Sequence, residues 1–582
     1  MIRPSFAQAQ STFTIGVGGV SSANLDTLNP TALTVVDGLT YIPMHAIYDG
    51  LVQVGVNASA IPDLAQNWSF RDPNTIIFNL VHNATWHDGQ AFTADDVVYT
   101  LNLYIAHPEW YAANGIDKVK SVSAIDNYTV QINLVKPDVT LLDYLTGMYI
   151  LPKHVWQNVG NFSTFANSNP VGTGPFTYVS WGGPGTYYVL AANPNYFYGR
   201  PHIDRLVVRG YASYSALILA LQSGEVDFAG LLIQPTFVPT LNSQIGIEVI
   251  SRPDARYFYF SMNEYPNGTE NPTLRDRTVR IALSHAMNTT ELAQVVWQGY
   301  ATPQATVVPP VFAGYVNPNI KPYDFNLTEA AQMLDNAGYK VGSDGIRVSP
   351  AGVRMSYKIE VPNGFTEEYR AAQLITGWWK QIGVEGKPAI VDEGTLGDEI
   401  ASWKHDTFIW DWVGDRVDWW VSMFTSDSAQ PAPNSGLSDS GYLNPTFDQL
   451  FQLQAQQSDP AARMQTFWKM EQILHDDAVY VPLYDTSTIE AFRSDRFTGV
   501  PGGLLPPATV YSSNNLFRSI TPISMPQASM TATSATATSS GMVSTPGVSG
   551  QTLAAALAAV IVVLIIAVVA IRRKASGKPK NS

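Results

Sequence analysis

Hydrophobic positions follow two rhythms along the chain. Alternation with a period of two marks strands at Thr75 to Leu80, Tyr128 to Val135 and Leu206 to Val208. Helical spacing of Val97, Leu101 and Tyr104 follows Thr93 and Asp96, whose types and separation fit a capping box. The second half is richer in helix. Apolar stripes predict helices over Thr273 to Met287, Thr328 to Ala337 ending at Gly338, Glu367 to Ile382 ending at Gly383, and Pro460 to His475. A tryptophan-rich strand and loop falls between the last two. No repeat and no Gly/Pro/Ser-rich linker interrupts Thr12 to Phe517, so two α/β lobes, intimately joined, are expected to enclose a cleft.

The two ends read differently. Thr552 to Ile571 carries no charge and, at about 1.5 Å per residue, is long enough to cross about 30 Å of hydrocarbon. Arg572, Arg573 and Lys574 follow at once, which assigns residues 572–582 to the cytoplasm and everything before the span to the outside. The preceding residues, 519–551, are rich in Ser, Thr and Pro and read as a stalk. Residues 1–11, with Arg3 and the Ala7-Gln8-Ala9 tripeptide, read as the remnant of an export leader.

Composition agrees with an exposed outer body. Among 582 residues only 14% are charged and the formal net charge is -14, so no basic surface for nucleic acid is expected. There is no cysteine, which excludes disulfides and thiolate chemistry. Sequons at Asn57, Asn67, Asn83, Asn127, Asn161, Asn267, Asn288 and Asn326 fit a glycosylated outer surface. No HExxH, GxSxG or P-loop is present, and the expectation is that the chain is neither an enzyme nor a carrier of a cofactor or metal. His82 and His87 beside Asp88 read as structural.

Ordered motifs then carry a resemblance: LNP at Leu28 to Pro30, YDGL at Tyr48 to Leu51, IPDLAQNW at Ile61 to Trp68, ATWHDGQAFTADDVVYTL at Ala84 to Leu101, GTGPF at Gly172 to Phe176, NPNYFYGRPHIDRLVVR at Asn193 to Arg209 and SGEVD at Ser223 to Asp227. LRDRTVRIALSHAMN, FNLTEAAQMLDNAGY and DDAVYVPLYD continue the series. The chain resembles the family 5 solute-binding proteins, the oligopeptide and dipeptide receptors of ABC transporters, in a membrane-anchored, archaeal-like form. The resemblance implies a two-lobed α/β periplasmic-binding-protein-like fold of type II with a discontinuous first lobe. Residues 12–250 with 489–518 would form lobe I and residues 251–488 lobe II. It also implies an extracellular receptor that delivers oligopeptide or dipeptide to permease subunits driven by a cytoplasmic ATPase.

By the same resemblance, the segment Trp410 to Trp420 matches the strand bordering the ligand, and Asp415 stands where the ligand ammonium is clasped. The alternative is a surface ion pair of Asp415 with Arg416 or a neighbouring base. Gly414 and Val413 would offer backbone groups; Trp410, Trp412 and Trp419 are candidates to line the cleft, although most indoles here are expected in the core. Asp411 and Asp418 read as structural or solvated. Val36, within Thr34 to Val36, corresponds to a stretch that pairs with ligand backbone. Trp419 and Trp420 stand where peptide-binding relatives carry proline, which leaves an oligosaccharide ligand as the alternative. A surface adhesion protein or a hydrolase is the remote one.

Overall fold

The computed structural model describes residues 10–20, 28–32, 38–55, 59–230, 233–268, 270–414, 416–429, 438–500 and 514–523. Residues 524–551 of the expected stalk, the apolar segment Thr552 to Ile571 and the basic tail lie outside the described residues; the first five stalk residues, 519–523, belong to the folded body, where Ile520 is buried and Thr521–Pro522 pairs with Phe497–Thr498. Among the described residues no helix is long and apolar enough to cross a membrane.

The chain opens with strand β1 (Thr12–Gly18) and then builds a small antiparallel sheet from β2 (Ala65–Asp72), β3 (Thr75–Leu80), β4 (Val119–Asp126) and β5 (Thr129–Leu134). Helix α1 (Ala94–Ala106) covers that sheet. Its predicted capping box is present: the Thr93 backbone N–H is donated to Asp96 Oδ2 at 3.0 Å and the Thr93 side chain caps the third helical residue. Short helix α2 (Leu141–Leu145) follows. The apolar faces of these elements, including Ile76, Phe78, Leu101, Val130 and Ile132, form one core.

Strands β6 (Phe176–Trp181), β7 (Tyr187–Ala192), β8 (Arg205–Tyr211), β9 (Phe228–Gly230) and the long β10 (Ile247–Met262) return the chain to the sheet that β1 began. The second lobe adds α3 (Arg277–His285), α4 (Leu327–Asn336), β11 (Ser356–Pro362), α5 (Thr366–Gln381), β12 (Glu385–Val391), β13 (Thr407–Val413) and α6 (Pro460–Asp476). One helix begins later than the apolar stripe suggested. Pro272–Arg275 is a 3-10 turn, and Asp276 restarts the chain as α3 by accepting the Thr278 N–H at 2.9 Å.

Strand β14 (Tyr480–Arg493) completes an eleven-stranded sheet ordered β12-β11-β13-β10-β14-β9-β1-β8-β7-β6, with the short strand Ala301–Pro303 beside β14. The sheet has two halves, each with its own core. Phe13, Leu206, Phe228, Phe492, Phe497 and Phe517 pack in one, and Phe260, Leu283, Ile375, Trp379 and Ile409 in the other. β10 and β14 run through both halves. They pair antiparallel from Ile247 with Arg493 to Ser261 with Tyr480, and the register breaks between Pro253 and Tyr257. Proline has no N–H to donate to a ladder, and irregularities of this kind bend a strand.

Candidate functional site

β13 is built to lie still. Its sequence TFIWDWV is β-branched and aromatic, and Asp406 just before it accepts the backbone N–H groups of Lys358 at 3.0 Å and Asn271 at 2.9 Å. Thr407 Oγ1 is donated to the Lys358 carbonyl at 2.7 Å, fixing the parallel register with β11. Along the other edge β13 pairs antiparallel with β10, Val413 opposite Arg256 and Trp412 opposite Tyr257. The loop that follows starts where β10 is irregular, since Gly414 donates its N–H to the Ala255 carbonyl at 3.3 Å.

Strand alternation sends Asp411 and Trp412 to opposite faces. On one face Asp411 forms an ion pair with Arg256 and leaves only 8% of its side chain exposed, so its role is structural. Beside it Glu368 of α5 is buried, and desolvation pushes its carboxyl up to about 8. On the other face the Trp412 indole N–H is donated to Asp439 Oδ2 at 2.8 Å, while Tyr259 donates its hydroxyl to the same oxygen. Burial pushes the Asp439 carboxyl up to about 6, against the pull of these hydrogen bonds. Trp410 and Trp412 stay half-buried. Trp378, Trp379 and Trp420 are core residues.

The loop after β13 folds back on itself. A Cβ on Gly414 would collide with the Trp419 ring, so only glycine lets that ring pack on the backbone. Trp419 meets Trp412 edge to face at 5.8 Å between centroids. Thus Trp412, Val413, Gly414 and Trp419 come together, with Val413 38% exposed. Asp415 and Val36 lie outside the described residues.

A contact that sequence did not foretell ties this loop to the small-sheet body. The Arg416 guanidinium lies 4.3 Å from the centroid of the Tyr144 ring, on α2, and 5.9 Å from that of Trp419. Tyr144 also hydrogen-bonds the buried Asp418, and burial first, then the Asp418 charge, raises its hydroxyl pKa. Nothing in the local pattern around Tyr144 or Asp439 marks either as part of this site, because both arrive from distant segments.

The histidines behave as structural groups. His87 accepts the Gly172 N–H on Nδ1 at 3.3 Å and sits 3.0 Å from the Gly174 carbonyl through Nε2. Burial lowers its pKa to about 4, so it stays neutral and buttresses the GTGPF turn. His82 stacks on Tyr128 at 4.1 Å. Among the described residues no group of three or more His, Asp or Glu is arranged to hold a metal ion.

Residues 59–434 match the family described as bacterial extracellular solute-binding proteins, family 5 Middle. A Brucella ovis protein provisionally assigned as an ABC transporter peptide-binding protein is 32% identical over 345 residues, 56% of this chain and 60% of that one. The match therefore spans less than two thirds of that relative's length. The oligopeptide-binding protein AppA of Bacillus subtilis is 26% identical over 410 residues, 69% of this chain and 73% of AppA. The periplasmic oligopeptide-binding protein of Thermotoga maritima, crystallised with mannohexaose, superposes with a TM-score of 0.71 at 21% identity, covering 89% of this chain and 100% of that one. That likeness concerns the fold. With its two-lobed α/β architecture and a family match over more than half its length, this chain belongs to the family 5 bacterial extracellular solute-binding proteins.

Proposed function

We propose that this protein is an extracellular receptor that captures an oligopeptide or dipeptide between its lobes and hands it to an ABC permease coupled to a cytoplasmic ATPase. The observation that carries the reading is the adjacency of the β13 loop to the irregular stretch of β10: Gly414 is hydrogen-bonded to Ala255, inside the break between Pro253 and Tyr257. A ligand held by Val413, Gly414 and Asp415 would touch the chain where it passes from one half of the sheet to the other. Contacts made only in the closed arrangement shift the population toward it.

In this reading Asp415 accepts the ligand ammonium, Gly414 and Val413 offer backbone groups, Trp410, Trp412 and Trp419 flank the ligand side chains, and Val36 meets its backbone. Lobe I comprises residues 12–250 and 489–518, and lobe II residues 251–488. The apolar segment Thr552 to Ile571 anchors the receptor, with residues 524–551 as stalk and 572–582 inside the cell. A flexible stalk of that length has a root-mean-square reach of roughly 30 Å, enough to dock on a neighbouring permease.

The half-buried Trp410, Trp412 and Trp419 favour a second reading, an oligosaccharide whose apolar sugar faces stack on indoles. Mass spectrometry of small molecules released by denaturing the purified protein separates the two. A set of short peptides supports the first and a hexose series the second; a ligand of neither class would overturn both.

A further inference from the structure

Four buried polar atoms gather beside the break in β10: Arg256 Nε, Glu368 Oε1, the Tyr484 hydroxyl oxygen and the Trp297 indole nitrogen. Among the described residues none of the four has a partner in hydrogen-bonding geometry. They arrive from separate elements. Arg256 stands inside the break, Tyr484 pairs with Phe258 across β10 and β14, Glu368 comes from α5, and Trp297 follows a helix at residues 289–296. The Trp297 and Tyr484 rings both pack on Phe258, with centroids 5.5 and 5.4 Å away. Orphaned groups of this kind are rare in native interiors, because each costs about 1 to 3 kcal/mol.

Three of the four are donors, and the fourth belongs to a carboxyl group. An ionised carboxylate can accept from a guanidinium, a phenol and an indole together, with the arginine balancing its charge. The surroundings of Glu368 therefore suit its charged form. In the present arrangement, however, Arg256 is paired with Asp411. Burial then pushes the Glu368 carboxyl up to about 8, with Glu367 and Asp411 adding to the rise and Arg256 opposing it. The Tyr484 hydroxyl faces Glu368 and Glu367, and the Tyr214 hydroxyl of the first lobe faces Arg256.

Glu368 and Asp411 are held by α5 and β13, whereas Arg256 sits where β10 loses register with β14. A turn of one half of the sheet against the other moves the arginine relative to both carboxyls. We infer that Arg256 is a two-position switch, paired with Asp411 when the small-sheet body touches the loop after β13 and with an ionised Glu368 when the lobes turn apart about the break. The turn releases the Glu368 proton to solvent. The contact arrangement is thus favoured at low pH, and its ratio to the other falls by up to about tenfold per pH unit until about pH 8, where Glu368 ionises in both. The switch rests on the residues around the break alone; its consequence for capture, an affinity that weakens as pH rises, rests on the receptor reading above.

The test needs no ligand. The chain has no cysteine, so Ser123→Cys in the small-sheet body and Lys340→Cys in the second lobe, both exposed, accept a pair of dyes on the full-length protein. Single-molecule energy transfer should show a short and a long distance, with their ratio moving toward the long one by about tenfold or more between pH 6 and pH 8. Glu368→Gln should keep the short distance at both pH values, and Asp411→Asn should give the long one already at pH 6. Ordinary destabilisation would move both variants the same way, and that result overturns the switch. So does a single distance in the unsubstituted background at every pH, a measurement that stands even where a variant does not fold. Failure of the switch leaves the receptor reading untouched, since mass spectrometry of the released ligand tests that reading separately.

Discussion

The indole N–H of Trp412 and the hydroxyl of Tyr259 converge on one carboxylate oxygen of Asp439, so a residue reached from a distant segment sets the orientation of the ring beside the loop that follows β13. Asp439→Ala strands both donors. Each unsatisfied buried group costs about 1 to 3 kcal/mol, and the sum should appear as a lower urea midpoint at unchanged slope. Ligand affinity should fall as well, because Trp412 loses its fixed pose. A variant with the wild-type midpoint and affinity would show that the hydrogen bonds are incidental.

A second prediction concerns pH. Burial pushes Glu368 and Glu471 up to about 8, against an ordinary glutamate value of 4.5. The folded state therefore prefers their neutral forms. That stabilisation is complete below about pH 4.5 and falls by about 1.4 kcal/mol per pH unit for each group, until it is lost as pH rises through about 8. The thermal midpoint should drop between pH 6 and pH 9. Glu471 Oε2 accepts the Asn317 backbone N–H at 2.7 Å, and a glutamine oxygen can do the same, so Glu471→Gln should keep the midpoint at pH 6 and flatten the fall. Identical pH profiles for the two proteins would remove Glu471 from the account.

Arg252 and Glu490 join the two strands that run through both halves of the sheet. The contact is bidentate, Nε to Oε2 at 3.1 Å and Nη2 to Oε1 at 2.8 Å, with 4% and 1% of the side chains exposed. Breaking such a pair leaves a buried charge without its counter-ion. Glu490→Leu alone should cost about 3 to 5 kcal/mol, whereas Arg252→Met combined with Glu490→Leu should recover most of that loss. Chemical denaturation of the two single variants and the double variant gives the coupling directly. Additive losses would mean that the pair stabilises nothing as a pair.

Much of this architecture is legible from local pattern. Thr75 to Leu80, the capping box at Thr93 and Asp96, and the helices near residues 327–336 and 366–381 follow from periodicity and end signals that act over a few residues. The Trp410 to Trp412 strand was legible too, but not what its faces meet. Asp439 lies 27 residues from Trp412 in sequence, and Tyr144 more distant still from Arg416. Periodicity reports which face a side chain takes; it carries no information about which remote segment supplies the partner. The split at Asp276 was missed for a related reason, since an apolar stripe runs on through a cap that only side-chain geometry reveals.

Asp415→Ala probes the ligand role proposed for that residue. A charge-assisted hydrogen bond to an ammonium group is worth about 1.5 to 3 kcal/mol, so an amine-bearing ligand should bind about tenfold or more weakly. The same ligand with its amine acetylated should show little difference between the two proteins. Equal loss for both forms would mean that Asp415 supports the loop and does not contact the amine.

The Tyr144 contact yields the last prediction, because it joins the small-sheet body to the loop that follows β13. The ring gives its face to Arg416 and its hydroxyl to Asp418, so the two interactions can be removed separately. Tyr144→Phe keeps the ring and deletes the hydrogen bond, whereas Tyr144→Leu deletes both. A cation over a partly desolvated aromatic face is worth about 0.5 to 2 kcal/mol. The leucine variant should thus lose several-fold more ligand affinity than the phenylalanine variant if the stacked arginine holds the loop. If the hydrogen bond to Asp418 does the holding, the two variants should lose affinity equally. Small-angle scattering adds a readout that simple destabilisation does not move. With ligand at saturation, the leucine variant should remain less compact than wild type although both are folded. Identical scattering of the two saturated proteins would place the Tyr144 contact outside the closing motion.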